Sequence, residues 1–310
     1  MMPVMPILNI RHLTTYRYSQ PVAFGAHRMM LLPRDDSDQK VLRSEIEITP
    51  APKQLAWRRD AFGNHVATAA FAERATELRF VSNIHLEHAA FDFAADGIDA
   101  SAHTFPFAYA PEQRAALERF IQPPAGRARL DRFSARFFRG DGSADTYTLL
   151  ADMTQAIAGA IRHVPRHAEG TQTPLATLAH GTGTCRDRAV LMIALLRSRG
   201  IAARFVSGYL HLGEDGEDGD KDDLSGGNTH AWVQVFVPGP GWVDFDPSDG
   251  SIGNRNLVRV AVVHHPRQAV PLSGTWYGEA SDHLAMNVAV KVKASSLNHE
   301  PAAAHRTAPR

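Results

Sequence analysis

The chain has 310 residues, of which 44% are hydrophobic and 21% are charged. Such a composition supports one large or two modest globular domains and excludes a chain that is disordered throughout. Because 33 basic side chains balance 33 acidic ones, no overall charge favours nucleic acid or an anionic membrane, and we expect neither as a partner.

The number of cysteines and the length of the apolar runs indicate the cellular compartment of the protein. The sequence contains one cysteine, Cys185, so no intrachain disulfide can form. Its first residues lack the basic segment and the long apolar core of a secretory signal. The longest wholly apolar run, at 189–196, is far shorter than the roughly 20 residues that cross a bilayer. We therefore expect a cytoplasmic protein.

Residues 1–105 carry the pattern of an antiparallel β-domain. The segments LNIRHLTTYRY, SEIEITP, HVATAAF and LRFVSNIHLE alternate apolar and polar residues, and turn signals such as SQPV and FGN separate them. Alternation with a period of two indicates strands with one buried face. We predict a β-sandwich-like N-terminal domain.

A helical region follows. Residues 106–145 shift to Ala, Arg, Glu and Phe at helical spacing, interrupted by IQPPAG and RGDG, which predicts a linker of short helices. Residues 146–275 are predicted to form a second domain. In it, apolar residues three or four apart predict a helix over 146–163, and a shorter helix is expected near 175–179.

The centre of this second domain is the segment HGTGTCRDRAVLMIALLRSRG, which predicts a Gly-rich turn and then an apolar helix from Cys185 to Gly200. An acidic, Gly-rich loop without apolar periodicity is predicted over 212–228. After it, THAWVQVFVPGPGWVDFDPSDG predicts a β-hairpin. The alternating stretch LAMNVAVKVK predicts a strand within 276–294 that completes a sheet, and the tail at 295–310 is expected to be disordered.

Cys185 has the sequence surroundings of a nucleophile. The thiolate is the attacking species, and an ordinary cysteine, with a pKa of about 8.5, is mostly protonated at neutral pH. The positive end of a helix that begins at Cys185 lowers this pKa, and the free N–H groups there can bind an oxyanion. We also expect the glycines of the GTGT turn to let a substrate approach closely.

His230 is the candidate partner of this thiol. It opens the strand THAWVQVFV and is predicted to share a face with Trp232, Gln234 and Phe236, while the intervening residues face the other layer. An imidazole at this place can meet the start of a helix packed on the sheet and form a thiolate–imidazolium pair.

A third group must hold the imidazole in the right tautomer, and a carboxylate on the next strand is the natural choice. Asp244 and Asp246 in GWVDFDPSDG are the candidates. They lie two apart and so on one face of a strand, which means that periodicity does not choose between them.

Three motifs make the chain resemble the transglutaminase-like superfamily of papain-fold cysteine enzymes. The family patterns Gly-x-Cys-x-Asp, His-x-Trp and Trp-x-x-x-Asp-Pro-Thr correspond to Gly183–Asp187, His230–Trp232 and Trp242–Ser248. The N-terminal third resembles that of bacterial members through LTTYRYSQPV, MLLPRDD and RDAFGNHV, so the resemblance covers residues 7–275. The chain departs from the pattern at Ser248 and at 264–268, where bacterial relatives usually carry Gly-Arg-Asp-Tyr.

The resemblance implies an α+β fold in which a nucleophile helix packs on an antiparallel sheet, with Cys185, His230 and Asp246 as a catalytic triad. It prefers Asp246 over Asp244. It also implies a peptide or protein substrate and hydrolysis of an amide bond by a protease or amidase. The alternatives are a transglutaminase that crosslinks proteins and a non-catalytic binding module. Arg197 and Arg204, in the stretch after the helix, are expected to pair with carboxylates.

Other site classes find little support, and we predict neither a metal nor a cofactor. His264 and His265 are neighbours, and adjacent strand residues point to opposite faces. The acidic loop departs from the calcium-loop template, because a loop that starts at Asp218 has Asp223 at its sixth position and Thr229 at its twelfth. The GTGT turn lacks the lysine of a phosphate-binding loop.

Overall fold

The computed structural model describes residues 6–166, 170–211 and 229–295. The predicted acidic loop at 212–228 and residues 296–310 of the predicted tail lie outside the described residues. Helices combine with mainly antiparallel sheets, which confirms the α+β class. Within the described ranges, no helix has the length and apolar character that spanning a bilayer requires.

The N-terminal region consists of strands, as its alternating pattern predicted. There are six of them: β1 Ile7–Phe24, β2 His27–Met29, β3 Gln39–Thr49, β4 Gln54–Arg59, β5 His65–Ala70 and β6 Ala75–His88. One antiparallel sheet contains β1, β6 and β3, and another contains β2, β5 and β4. Apolar residues of both sheets, among them Phe80, Leu78 and Met29, pack against each other. The result is a two-layer sandwich.

Short elements lead from the sandwich to the second half of the chain: β7 Thr104–Phe105, α1 Pro111–Leu117, α2 Arg127–Ser134, β8 Ala144–Asp145, α3 Thr146–Ala160, β9 Arg162–His163, α4 Pro174–His180, β10 Thr182–Gly183 and α5 Cys185–Ser198. Asp145 caps α3 by accepting a hydrogen bond from the Thr148 N–H. The helix ends at Ala160, earlier than the predicted residue 163, because β9 pairs in parallel with β10.

A five-stranded antiparallel sheet forms the centre of the molecule. Its strands are β11 Ala203–Leu210, β12 Thr229–Val237, β13 Gly241–Asp246, β14 Ser251–Ile252 and β15 Leu257–Val263, in the order β14-β13-β12-β11-β15. One face packs on α5 through Ala231, Val233 and Phe245. On the other face, Tyr209 and Val258 pack against apolar residues of β1 and β6. The central sheet therefore lies between α5 and the N-terminal sandwich.

The chain finally returns to the N-terminal sandwich. Its last strands are β16 Leu272–Ser273, β17 Trp276–Tyr277 and β18 His283–Ser295. β16 pairs with β2, while β17 and β18 both pair with β1. The alternating LAMNVAVKVK segment is thus a strand, and the sheet that it extends belongs to the other end of the sequence.

The C-terminal end of α5 explains two sequence features. Gly200 takes a left-handed φ of 76° just after the helix, which confirms it as the cap. Arg197 donates to the carbonyl oxygens of Ala203 and His264 at 2.8 and 3.1 Å, and Arg204 donates to Gln234 Oε1. Among the described residues, neither arginine forms the ion pair with a carboxylate that the sequence led us to expect. Backbone carbonyls and an amide hold them.

Candidate active site

Cys185 is the first residue of α5 and is partly exposed. Thr184 precedes it as the N-cap and accepts a hydrogen bond from the Asp187 N–H. The aligned peptide dipoles place partial positive charge at this end of the helix. Because the first N–H groups of a helix have no partner within it, those of Cys185 and Arg186 are available at the same point.

A buried carboxylate fixes this helix start. Asp187 Oδ2 accepts hydrogen bonds from the backbone N–H and the hydroxyl of Thr184, both at 2.9 Å. Its Oδ1 accepts from Arg166 Nη2 at 2.9 Å and from the Gln172 N–H at 2.6 Å. The side chain of Asp187 is completely buried. Asp187 thus ties the residue before the thiol to the segments on either side of residues 167–169.

Both glycines of the turn before Cys185 have structural reasons for being glycine. Gly181 has a φ of 62° as the C-cap of α4, a left-handed conformation that favours glycine. Gly183 is buried, and a Cβ built on it would lie 2.9 Å from the Cβ of Asp187. Gly183 thus makes room for Asp187, and the expectation that these glycines let a substrate approach closely stays a prediction.

Asp187→Ala is expected to lower the free energy of unfolding by about 3 kcal/mol, because it leaves several polar groups without their acceptor. Thr184→Ala, which removes only the cap hydroxyl, is expected to cost about 1 kcal/mol. Urea unfolding followed by circular dichroism measures both. A loss for Asp187→Ala no larger than that for Thr184→Ala would contradict the bridging role.

His230 lies at the start of β12, where its ring reaches the thiol of Cys185. Its Nε2 is 2.5 Å from Asp246 Oδ2, and it hydrogen-bonds Cys185 on its other side. Since Asp246 occupies Nε2, Nδ1 remains for the sulfur. The ring stacks on Trp232, which confirms that the two residues share a face of the strand. The structure thus brings Cys185, His230 and Asp246 together.

Asp244 and Asp246 have different partners, although they share a face of β13. Asp246 Oδ1 also accepts from the Ser248 N–H at 2.8 Å, which aims its other oxygen at His230. Asp244 instead accepts hydrogen bonds from the side chains of Trp232 and Gln234 and pairs with Arg259. The geometry therefore assigns contact with the imidazole to Asp246.

Burial and the neighbouring charges shift the pKa values of Cys185 and His230 in opposite directions. Burial raises the pKa of the Cys185 thiol, but the hydrogen bond and charge of His230, the Ala231 N–H and the charge of Arg186 together hold it below its ordinary value. Burial lowers the pKa of His230, whereas hydrogen bonds and charges from Asp246 and Cys185 raise it to about 10. Thiolate and imidazolium therefore coexist between the lowered pKa of the thiol and about pH 10.

The stability that this pair contributes depends on pH with a definite sign. The raised pKa of His230 gives a contribution that is fully present below the ordinary imidazole value of 6.5 and is lost as the pH rises through about 10. The lowered pKa of Cys185 gives a contribution that is present above the ordinary pKa of a thiol and is lost as the pH falls through the lowered value.

Arg188 is a residue of the site that the sequence reasoning missed. It is buried within α5 and donates to the carbonyl oxygens of Ser248, at 2.6 Å, and Ile161. Its charge acts on both Asp246 and Cys185. The available signal was an arginine next to the apolar run of a buried helix, since a buried charge needs partners.

The described residues contain no group of three or more His, Cys, Asp or Glu side chains arranged to hold a metal ion. His264, which the sequence analysis considered as a metal ligand, contacts Arg197 through both its ring and its carbonyl oxygen. The segment at 264–268 enters a short turn of 3₁₀-helix, in which the His265 N–H donates to Gln268 Oε1. This segment lies at the C-terminal end of α5, opposite to Cys185.

Comparisons with known proteins agree with the fold. Residues 137–247 match the family described as the transglutaminase-like superfamily, and residues 8–87 match the bacterial transglutaminase-like N-terminal region. An uncharacterized protein of Mycobacterium leprae is 25% identical over 89% of this chain and 95% of its own length. One of Mycobacterium tuberculosis is 26% identical over 92% of this chain and 91% of its own.

Among solved structures, a proposed cysteine protease from Cytophaga hutchinsonii is similar to this chain with a TM-score of 0.71 and 17% identity. The similarity covers 96% of this chain and 93% of that one. Both halves of the two chains therefore share one fold.

Proposed function

Because the chain belongs to the transglutaminase-like superfamily, we propose that it is a cysteine hydrolase that cleaves amide bonds of peptide or protein substrates through a thioester. One observation carries the proposal. The His230 ring lies between the partly exposed thiol of Cys185 and the buried carboxylate of Asp246, 2.5 Å from its Oδ2. Nucleophile, base and orienting group thus stand in the order that covalent catalysis by cysteine requires.

In the first half of the reaction, the Cys185 thiolate attacks the carbonyl carbon of the amide. Negative charge develops on the carbonyl oxygen, and the N–H groups of Cys185 and Arg186 at the start of α5 stabilise it. The His230 imidazolium gives its proton to the amide nitrogen as the C–N bond breaks. An amine leaves, and the acyl group stays on the sulfur as a thioester.

In the second half, neutral His230 takes a proton from a water molecule that attacks the thioester carbonyl. The C–S bond then breaks, the carboxylic acid leaves, and the thiolate and imidazolium are restored. Asp246 accepts from Nε2 throughout, so it keeps Nδ1 directed at the sulfur and stabilises the charged ring. An amine in place of the water would give acyl transfer.

The proposal is tested with wild type and Cys185→Ala on a peptide library, with and without a primary amine, and with products identified by mass. We expect wild type to release free peptides with the mass of added water, and Cys185→Ala to release none. Addition of the amine with loss of ammonia would overturn hydrolysis in favour of acyl transfer. Identical products from both proteins would overturn the enzyme proposal itself.

A further inference from the structure

The indole of Trp232 lies beneath the imidazole of His230. The two rings are inclined by 20° and their centroids are 6.1 Å apart. Trp232 is fully buried, so its position is set by protein groups. An aromatic face at about 6 Å from a cation attracts it. The indole therefore favours the imidazolium form that the proposed chemistry uses.

The orientation of this indole depends on a buried carboxylate. Trp232 Nε1 donates to Asp244 Oδ1 at 2.6 Å, and Asp244 Oδ2 accepts from Arg259 Nη1 at 3.1 Å. Asp244 and Arg259 lie on β13 and β15, on opposite sides of β12 and β11. Gly208 of β11 makes room for the Trp232 ring, because a Cβ on this residue would lie 2.8 Å from the ring.

Arg259 is also bound from the N-terminal sandwich. Asp38, just before β3, accepts hydrogen bonds from both Nη atoms of Arg259, with an Nη1 to Oδ2 distance of 2.8 Å. Asp36 Oδ2 lies 3.5 Å from Nη2. Gln39 binds the backbone of the same arginine, through its Oε1 at 3.0 Å and its Nε2 at 2.9 Å. Arg259 is thus shared between the central sheet and the N-terminal region.

We propose that Asp38, Arg259 and Asp244 are positioning residues that hold Trp232 under His230, which makes the N-terminal sandwich a part of the catalytic apparatus. The contacts run without interruption from Asp38 through Arg259, Asp244 and Trp232 to the imidazole. The inference deepens the proposed function and rests on it. A carboxylate of the N-terminal region, Asp38, would thus affect the imidazolium form of His230 in the second domain.

Several other charges act on the same groups and are unchanged by a substitution at Asp38. Asp246 and Cys185 act directly on His230, and Arg186 and Arg188 act on Cys185. Farther away, Arg204 interacts with Asp244. Asp38 itself also accepts a hydrogen bond from Asn254 and interacts with His88 and Asp244. Of its contacts, those with Arg259 and Asp244 lead to Trp232, so a change at His230 that follows the loss of the Asp38 charge reports on these.

The test compares Asp38→Asn with a matched variant at the same junction, Asn64→Ala. Asn64 is buried and binds the N–H and the carbonyl of Val262 at 2.9 and 2.8 Å, so it also joins the N-terminal region to β15. It makes no contact with Arg259 in these bonds. Asn64→Ala should destabilise the junction while leaving the hydrogen bonds from Asp38 through Arg259 and Asp244 to Trp232 in place.

Two readouts are used: turnover of a cleaved peptide, and the rate at which iodoacetamide alkylates Cys185 between about pH 4 and 11. For Asp38→Asn we expect kcat to fall roughly tenfold with little change in KM. We also expect the alkaline transition of His230 to move down by about half a pH unit as the indole loosens. Asp38→Glu, which restores the charge, should recover part of both.

Wild-type values of kcat and of the alkaline transition in Asp38→Asn would overturn the inference. Equal changes in Asp38→Asn and Asn64→Ala would overturn it as well. General loosening of the junction would then explain the changes without any role for the contacts between Asp38 and Trp232. Alkylation needs no substrate, so the inference remains testable even if wild type cleaves no peptide, an outcome that would count against the proposed function alone.

Discussion

Replacing His230 by alanine is expected to reduce amide hydrolysis by about 10⁴-fold or more, because the variant loses both the partner of the thiolate and the donor of the proton to the leaving amine. Burial raises the pKa of Cys185, and His230 is the main group that opposes it. We therefore expect the pKa of the thiol in His230→Ala to rise above its ordinary value.

Turnover of a cleaved peptide and the rate of alkylation by iodoacetamide at neutral pH measure the two effects. His85→Ala is the matched control, because its ring binds Asn9 in the N-terminal sandwich and its loss should leave both rates unchanged. If His230→Ala kept rapid alkylation and turnover within about tenfold of wild type, His230 could not be the partner of Cys185.

Asp246→Asn is the second substitution with a large expected effect. An amide in this place no longer carries the charge that stabilises the imidazolium, and it can present an N–H to Nε2 in place of an acceptor. By analogy with other triads, we expect kcat to fall by about 10²-fold to 10⁴-fold. Asp246 is the strongest of the groups that raise the pKa of His230 to about 10 against the effect of burial.

Asp246→Asn should also shift the pH profile of activity in a definite direction. Without the carboxylate, burial lowers the pKa of His230, so the alkaline limb of activity should move to lower pH. Asp244→Asn is the informative comparison, since Asp244 is linked to the imidazole through Trp232 and its loss should give a smaller shift. A larger shift for Asp244→Asn than for Asp246→Asn would exchange the roles of the two residues.

Much of the fold could be predicted because its signals are local. Alternation with a period of two indicated the strands of the N-terminal sandwich, and apolar spacing of three or four indicated α3. Cys185 was recognised as a helix start from the glycines before it and the apolar run after it. The shared face of His230 and Trp232 also followed from the geometry of a single strand.

Other features depended on residues that are distant in sequence. The helix prediction for 146–163 ran too far because the pairing of Arg162–His163 with Thr182–Gly183 leaves no mark in the local pattern. The role of Gly183 became clear only when Asp187 was seen to fill the space where a Cβ would lie. Arg188 was overlooked because its acceptors, Ile161 and Ser248, belong to two different segments.

The sequence by itself determined that a lone thiol begins a helix, that a histidine opens a nearby strand, and that two aspartates share one face of the next. Only the tertiary structure decided that Asp246 forms a hydrogen bond with His230 and that Asp244 accepts hydrogen bonds from Trp232 and Arg259. The physical reason is that backbone periodicity fixes the face on which a side chain lies. Its partner on that face is set by the packing of segments that fold together from distant parts of the chain.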